Sequence, residues 1–131
     1  MKFLLDTDTC VFWLRGRPSV RERLLAVGVE NVGVSVTTLA ELRYGAACSA
    51  QAEANQQAVD NLISGLALVG IGPEACRIFG DLKAALRTRG QLIEDFDLLI
   101  AATALAHGLT LVTSNTDHFN RIPGLALENW K

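Results

Sequence analysis

Phe3-Leu4-Leu5-Asp6-Thr7-Asp8-Thr9 decides how this chain is read. A short apolar run at the head of the sequence reads as a buried strand. Carboxylates at the end of such a strand need a reason to be there, because an uncompensated buried charge is costly. In open α/β sheets ligands bind just beyond the carboxyl ends of the strands, so an acidic metal site belongs at this point.

Outward from that stretch, strand-like and helix-like segments alternate. Lys2 to Asp6 reads as a strand, and a short helix through Val11-Phe12-Trp13-Leu14 stops at Gly16-Arg17-Pro18. Ser19 is placed to cap a helix through Val20 to Val27. Asn31 to Val36 is a second, Val-rich strand. Thr37-Thr38 caps a helix beginning Leu39-Ala40-Glu41-Leu42, and a further helix covers Ala52 to Leu66. Leu68 to Ile71 is a third strand. Pro73 suits the first turn of the next helix, which ends near Gly90. Phe96 to Ala106 is apolar nearly throughout, so that helix should be buried, its alanines close to a sheet, with Gly108 as its stop. Leu109 to Thr113 is a fourth strand and Leu125 to Leu127 a fifth. This order predicts a parallel sheet sandwiched by helices.

The totals fit one soluble domain. A chain of 131 residues, half apolar and a fifth charged, can bury a core without disulfides or structural metal. No apolar stretch approaches the roughly 20 residues of a membrane span, and an acid at position 6 comes too early for a signal peptide; a cytoplasmic location is the default expectation. Cys10, Cys48 and Cys76 are too far apart for a zinc knuckle or a disulfide framework, and read as small buried thiols. The net charge of −2 gives no overall field for nucleic acid. Two local basic runs, Arg15-Arg17-Arg21-Arg23 and Arg77-Lys83-Arg87-Arg89, are either solvated helix faces or a phosphate track.

Four carboxylates fall at junctions that the α/β order brings together. Asp6 ends strand one, Glu41 sits early in the helix after strand two, Asp97 opens the buried helix, and Asp117 follows strand four. Such a cluster repels itself unless cations or protons neutralise it, and hard oxygen donors select Mg2+ or Mn2+. Singly, each has an ordinary reading. Asp6, Asp8, Asp95 and Asp97 can be helix caps, Glu41 a solvated helical residue, and Asp117 turn chemistry. His118 reads as a surface residue and His107 as a favourable helix C-terminal one.

Three stretches then resemble the successive motifs of PIN-domain ribonucleases, most closely the VapC-type toxins of toxin–antitoxin pairs. They are Leu4-Leu5-Asp6-Thr7-Asp8, Val36-Thr37-Thr38-Leu39-Ala40-Glu41-Leu42-Arg43-Tyr44-Gly45, and Ile93-Glu94-Asp95-Phe96-Asp97-Leu98-Leu99-Ile100-Ala101-Ala102. Leu111-Val112-Thr113-Ser114-Asn115-Thr116-Asp117-His118-Phe119 and Ile122-Pro123-Gly124-Leu125 fit the same family, so the likeness runs from about residue 3 to 127. It implies a three-layer α/β/α sandwich around a mostly parallel four- to five-stranded sheet, as one domain over 1–131. It implies a metal-dependent endoribonuclease with Mg2+ ligands at Asp6 and Asp97. Glu41 would orient the water the metal activates, or a second ion, and Asp117 would be the last acid. The implied partners are RNA, a cognate VapB-type antitoxin and a second copy of the chain, possibilities that extend to a toxin–antitoxin hetero-oligomer. One departure stands out: the acid that usually precedes the phenylalanine is replaced by His118, leaving Asn115, Asp117 and His118 to compete for the last position.

Two other readings stay open at this level. Asp6-Thr7-Asp8-Thr9 also resembles the nucleophile motif of haloacid-dehalogenase-type phosphatases, in which Asp6 would attack phosphorus and Asp8 serve as acid/base. That chemistry wants a well-placed lysine and a late acidic pair, and Lys83 falls mid-helix. A PIN-like module that binds without cutting is the non-enzymatic alternative, to which three acids at these positions are foreign.

Overall fold

Strand β1 (Phe3–Leu5) is the centre of an all-parallel five-stranded sheet in the computed structural model, which describes residues 1–131. Its neighbours are β2 (Val32–Ser35) and β4 (Thr110–Val112), with β3 (Ala67–Val69) and β5 (Leu127–Glu128) at the edges, giving the order β3-β2-β1-β4-β5. Leu4 is in register with Gly33 on one side and Leu111 on the other.

The period of two along β1 decides the layers. Phe3 and Leu5 face one core with Val32, Val34 and Val112, while Leu4 faces the other with Leu111. A strand buried on both faces must be a continuous apolar run, which is why this one carries no alternation. The first core is closed by α1 (Thr7–Leu14), α2 (Pro18–Val27), α3 (Val36–Ala47) and α4 (Ala52–Ser64). The second is closed by α5 (Pro73–Thr88) and α6 (Asp95–Ala106), with Phe119 of the short α7 (Thr116–Phe119) as its plug. The three-layer sandwich and the parallel sheet are as the sequence predicts.

Helix α6 is sunk against the sheet because Ala101, Ala102 and Ala104 are fully buried and short enough for close approach. Gly108, at φ 64°, ends the helical run in a conformation that side chains disfavour. Several local expectations shift. Helix α2 starts at Pro18 with Arg17 at its cap position, not Ser19. Ser35 rather than Thr37-Thr38 caps α3, its hydroxyl accepting from the Thr38 N–H at 3.0 Å. Of the three cysteines only Cys10 is buried; Cys48 is exposed in the turn that ends α3, Cys76 is exposed on α5, and all three are free thiols.

The close seat of α6 makes a direct prediction. Ala101→Leu should lower stability by about 1–3 kcal/mol through overpacking, read as a lower denaturation midpoint at unchanged m. The exposed Ala84→Leu should leave the midpoint near wild type.

Candidate active site

From β1 the chain builds outward in opposite directions, to β2 and β3 on one side and β4 and β5 on the other. The carboxyl end of β1 therefore opens the crevice where ligands bind in such sheets. Asp6 stands there. Its N–H donates to the Val112 carbonyl at 3.0 Å, carrying the β1–β4 ladder one residue past the strand.

Asp6 then turns the chain into α1. Its Oδ1 accepts from the Thr9 N–H at 2.8 Å, so Asp6, not Asp8, is the helix cap. Capping alone does not account for its environment. The residue is only 4% exposed, and burial, helped by the charge of Asp8, holds its carboxyl above the ordinary value although Thr113 and Thr9 hydrogen bonds oppose the shift. A carboxylate satisfied as a cap would be pulled down instead.

Glu41 reaches the same place from the second turn of α3 and is held by hydroxyls. Thr7 Oγ1 lies 2.6 Å from Glu41 Oε1 and 3.2 Å from Thr38 Oγ1, and Ser35 Oγ is 3.4 Å from Thr38 Oγ1. An ionised carboxylate only accepts, and each hydroxyl has one proton to give. The order that satisfies all of them runs Ser35 to Thr38 to Thr7 to Glu41. Sequence reasoning weighed these hydroxyls only as parts of motifs or as caps. The usable signal was the spacing of Ser35 and Thr38 just past a strand, with Glu41 one further turn along.

Asp97, in the first turn of α6, faces the others. Burial, followed by the charges of Glu94, Glu41, Asp6 and Asp8, pushes its carboxyl up to about 6. The structure thus brings Asp6, Glu41 and Asp97 together. The four ion pairs of the chain lie elsewhere, at Arg23–Glu128, Arg43–Asp60, Arg77–Asp81 and Lys83–Asp95, so no Lys or Arg neutralises this cluster. No three ligating side chains crowd together as a closed metal cage. A buried and a half-buried carboxylate that repel each other fit a hard divalent cation that keeps most of its water, and Asp6 and Asp97 are the pair that would hold it.

Asp117 is placed differently. Phe119 points into the core, which turns Asp117 and His118 of the four-residue α7 outward to solvent. Asp117 is not among the charges acting on Asp97. His118 Nδ1 accepts from the Asn115 amide at 2.8 Å. The residue just past β4 that meets Asp6 is Thr113, fully buried, whose Oγ1 accepts the Asn115 N–H at 2.9 Å. Lys83 is paired with Asp95 at 2.8 Å on α5 and α6, which removes the lysine that a phosphatase reading needs.

Comparison with known proteins agrees with this fold. The PIN domain family matches residues 3–125. Ribonuclease VapC2 of Rickettsia felis is 37% identical over 132 residues, covering 99% of this chain and 98% of that protein. The tRNA(fMet)-specific endonuclease VapC of Salmonella typhimurium is 37% identical over 131 residues with the same coverage. Among solved structures, a chain of DNA-bound VapBC from Salmonella typhimurium superposes with a TM-score of 0.95 at 36% identity, covering 100% of this chain and 99% of that one. A chain of VapBC2 from Rickettsia felis, bound to a promoter DNA fragment, gives 0.92 at 36% identity, with 100% of both covered.

The unneutralised cluster has a consequence for stability. The Asp6 and Asp97 carboxyls titrate above their value of 3.8 in a free chain, so the stability they contribute is fully present below pH 3.8. For Asp97 it is lost as the pH rises through about 6. Asp97→Asn should therefore raise the Tm of the metal-free chain at pH 7.5 by about 2–5 °C. The gain should shrink as the pH falls toward 4.5. A Tm gain independent of pH, or none at all, would show that Asp97 is already neutralised.

Proposed function

We infer the function from family: this chain belongs to the PIN-domain family and, within it, to the VapC ribonucleases. Acting as one domain over residues 1–131, it is a Mg2+-dependent endoribonuclease and the toxic component of a toxin–antitoxin pair. It hydrolyses RNA phosphodiester bonds, with tRNA as the expected substrate, because a relative alike over its whole length is named for tRNA(fMet). The observation that carries the reading is the unneutralised carboxylate cluster, buried at Asp6 and half-buried at Glu41 and Asp97, at the switch point of the sheet.

Nucleases of this family generally depend on divalent metal, and the finer assignment of Mg2+, with Mn2+ as a substitute, rests on the all-oxygen donor set. Held by Asp6 and Asp97, the ion supplies Lewis acidity that activates water and stabilises charge building on the phosphodiester. The chain's own residues do the positioning. Asp6 is fixed by the Thr9 N–H and Thr113, and Asp97 by its seat at the start of α6. With Oε1 taken by Thr7, Glu41 keeps Oε2 as the acceptor for a proton of the attacking water. Asp117, turned to solvent on α7, is the acid on which the reaction should depend least.

The partner that silences such a site must bring a cation or cover it. A cognate VapB-type antitoxin inserting an Arg or Lys near Asp6 and Asp97 would do both, and the likeness to chains from VapBC structures supports a partner of that kind. Exposed Leu92 and Phe96 beside the acids, 50% and 47% accessible, suit the homodimer and hetero-oligomer expected of the family. No helix is long and apolar enough to cross a membrane, and the proposed place of work is the cytoplasm, where exposed Cys48 and Cys76 stay reduced.

The test is cleavage of total cellular RNA by the purified chain. Discrete fragments should form with Mg2+ and vanish with EDTA. Asp6→Asn and Asp97→Asn should each lower the rate by about a hundredfold or more in folded protein, and Asp117→Asn by less. Thr7→Val should lower kcat by about tenfold, with Thr7→Ser close to wild type. Wild-type rates in Asp97→Asn would remove the assignment.

A further inference from the structure

A cleft between α1, α3 and α4 leads away from the acids, and the ribonuclease reading alone gives it no role. Thr7 and Glu41, already hydrogen bonded to each other, form its end at the active site. Leu42 and Val59 supply an apolar floor, and Arg15 and Asn55 line it as well. Its volume is about 440 Å³, within the range of small-ligand sites. Because Thr7 opens α1 and Arg15 closes it, the cleft runs the length of that helix, about 12 Å.

Arg15 is the only cation in the lining and has no ion-pair partner. Its neighbours in the two basic runs are mostly engaged. Arg17 lies 5.1 Å over Phe12, Arg23 pairs with Glu128, Arg77 with Asp81, Lys83 with Asp95, and Arg89 donates to the Arg121 carbonyl. Arg21 and Arg87 are unpaired as well but lie outside the cleft. Asn55, in the lining, gives its amide N–H to Ser49 Oγ at 2.8 Å, which leaves its Oδ1 without a partner and able to accept.

These parts match one ligand class: a cation for a phosphate, an apolar floor for the face of a base, and an amide oxygen for its edge. We propose that this cleft is the subsite for a nucleotide flanking the scissile phosphodiester, with Arg15 as the positioning residue that grips a neighbouring phosphate. The proposal rests on the ribonuclease reading. The length of α1 keeps Arg15 away from the reacting atoms, so it acts through substrate position and not in the bond-breaking step.

The test uses the 15N-labelled, metal-free chain titrated with AMP, CMP, GMP and UMP, and with ribose 5-phosphate as a probe without a base. Nucleotides should shift the Gly45 and Val59 amides together with Arg15 Nε, saturating at millimolar concentration, whereas ribose 5-phosphate should shift Arg15 alone. Arg15→Gln should weaken nucleotide binding about tenfold and Arg15→Lys recover part of it. Gly45→Leu fills the cleft from a position where a Cβ meets nothing within 4 Å, and should abolish binding. In Mg2+-dependent RNA cleavage Arg15→Gln should raise KM more than it lowers kcat and flatten the salt slope by about 0.7; Arg21→Gln should do neither.

Absence of saturable shifts at these groups would overturn the proposal. So would Arg15→Gln and Gly45→Leu variants with wild-type KM and salt slope, or an Arg15→Gln variant that loses only thermal stability. Loss of antitoxin affinity alone, with RNA cleavage intact, would assign the cleft to a protein segment and equally overturn it. A wild-type chain that cuts no RNA yet shows the nucleotide shifts would remove the ribonuclease and keep the nucleotide site.

Discussion

Electrostatic repulsion at the carboxyl end of β1 is the constraint on which the rest of the structure depends. Asp6, Glu41 and Asp97 arrive from three different elements, and the chain gives none of them a lysine or arginine. Net stabilities of domains this size are only about 5–15 kcal/mol, so repulsion among these buried and half-buried acids is a real cost to the fold. It is borne by a central strand with Leu4 and Leu5 fully buried, each contributing roughly 2–3 kcal/mol, and by helices on both faces.

Hydroxyls do the work that cations do at an ordinary buried ion pair. Thr7, Thr9, Thr38, Thr113 and Ser35 surround Asp6 and Glu41 with fixed dipoles. A dipole orients a carboxylate and repays part of its desolvation without cancelling its charge. A guanidinium in the same place would satisfy the acids and compete with any metal for them. The site therefore stays rigid and negative at once, and the backbone helps: the same Asp6 that carries the charge also caps α1 and continues the β1–β4 ladder.

Much of this was legible in the sequence. The continuous run Phe3-Leu4-Leu5, the Val-rich second strand and the alanine-rich Leu98–Ala106 stretch each carry their burial in their composition, and the alternation of elements leaves few topologies. Asp6, Glu41 and Asp97 were legible as strand-end and helix-start acids. The hydroxyl chain was not, because Ser and Thr at a helix start look the same whether they cap the helix or orient a glutamate two turns away. The exposed position of Cys76 on α5 was hidden for a similar reason: the apolar pattern of a helix says which face is filled, not which small residue strays off it. At the last position the decisive residue is Phe119. Its burial fixes α7 and turns Asp117 and His118 outward, a three-dimensional consequence that a one-residue shift in a motif does not announce.

A site that stores repulsion will accept relief from any cation that fits. On the proposed function, a metal held by Asp6 and Asp97 and a guanidinium or ammonium brought by a partner protein would lower the same unfavourable energy, and neither would gain it in full once the other is present. Their binding is therefore negatively coupled, and by linkage each weakens the other by the same factor. A partner that brings its own positive charge thus gains most at the metal-free site, and metal in turn favours the free enzyme. On the proposed function, the feature that makes the chain a nuclease is also the handle by which it is restrained. On that reading no second regulatory site is needed, because the charge left unpaired for catalysis would also be the charge that recognises the inhibitor.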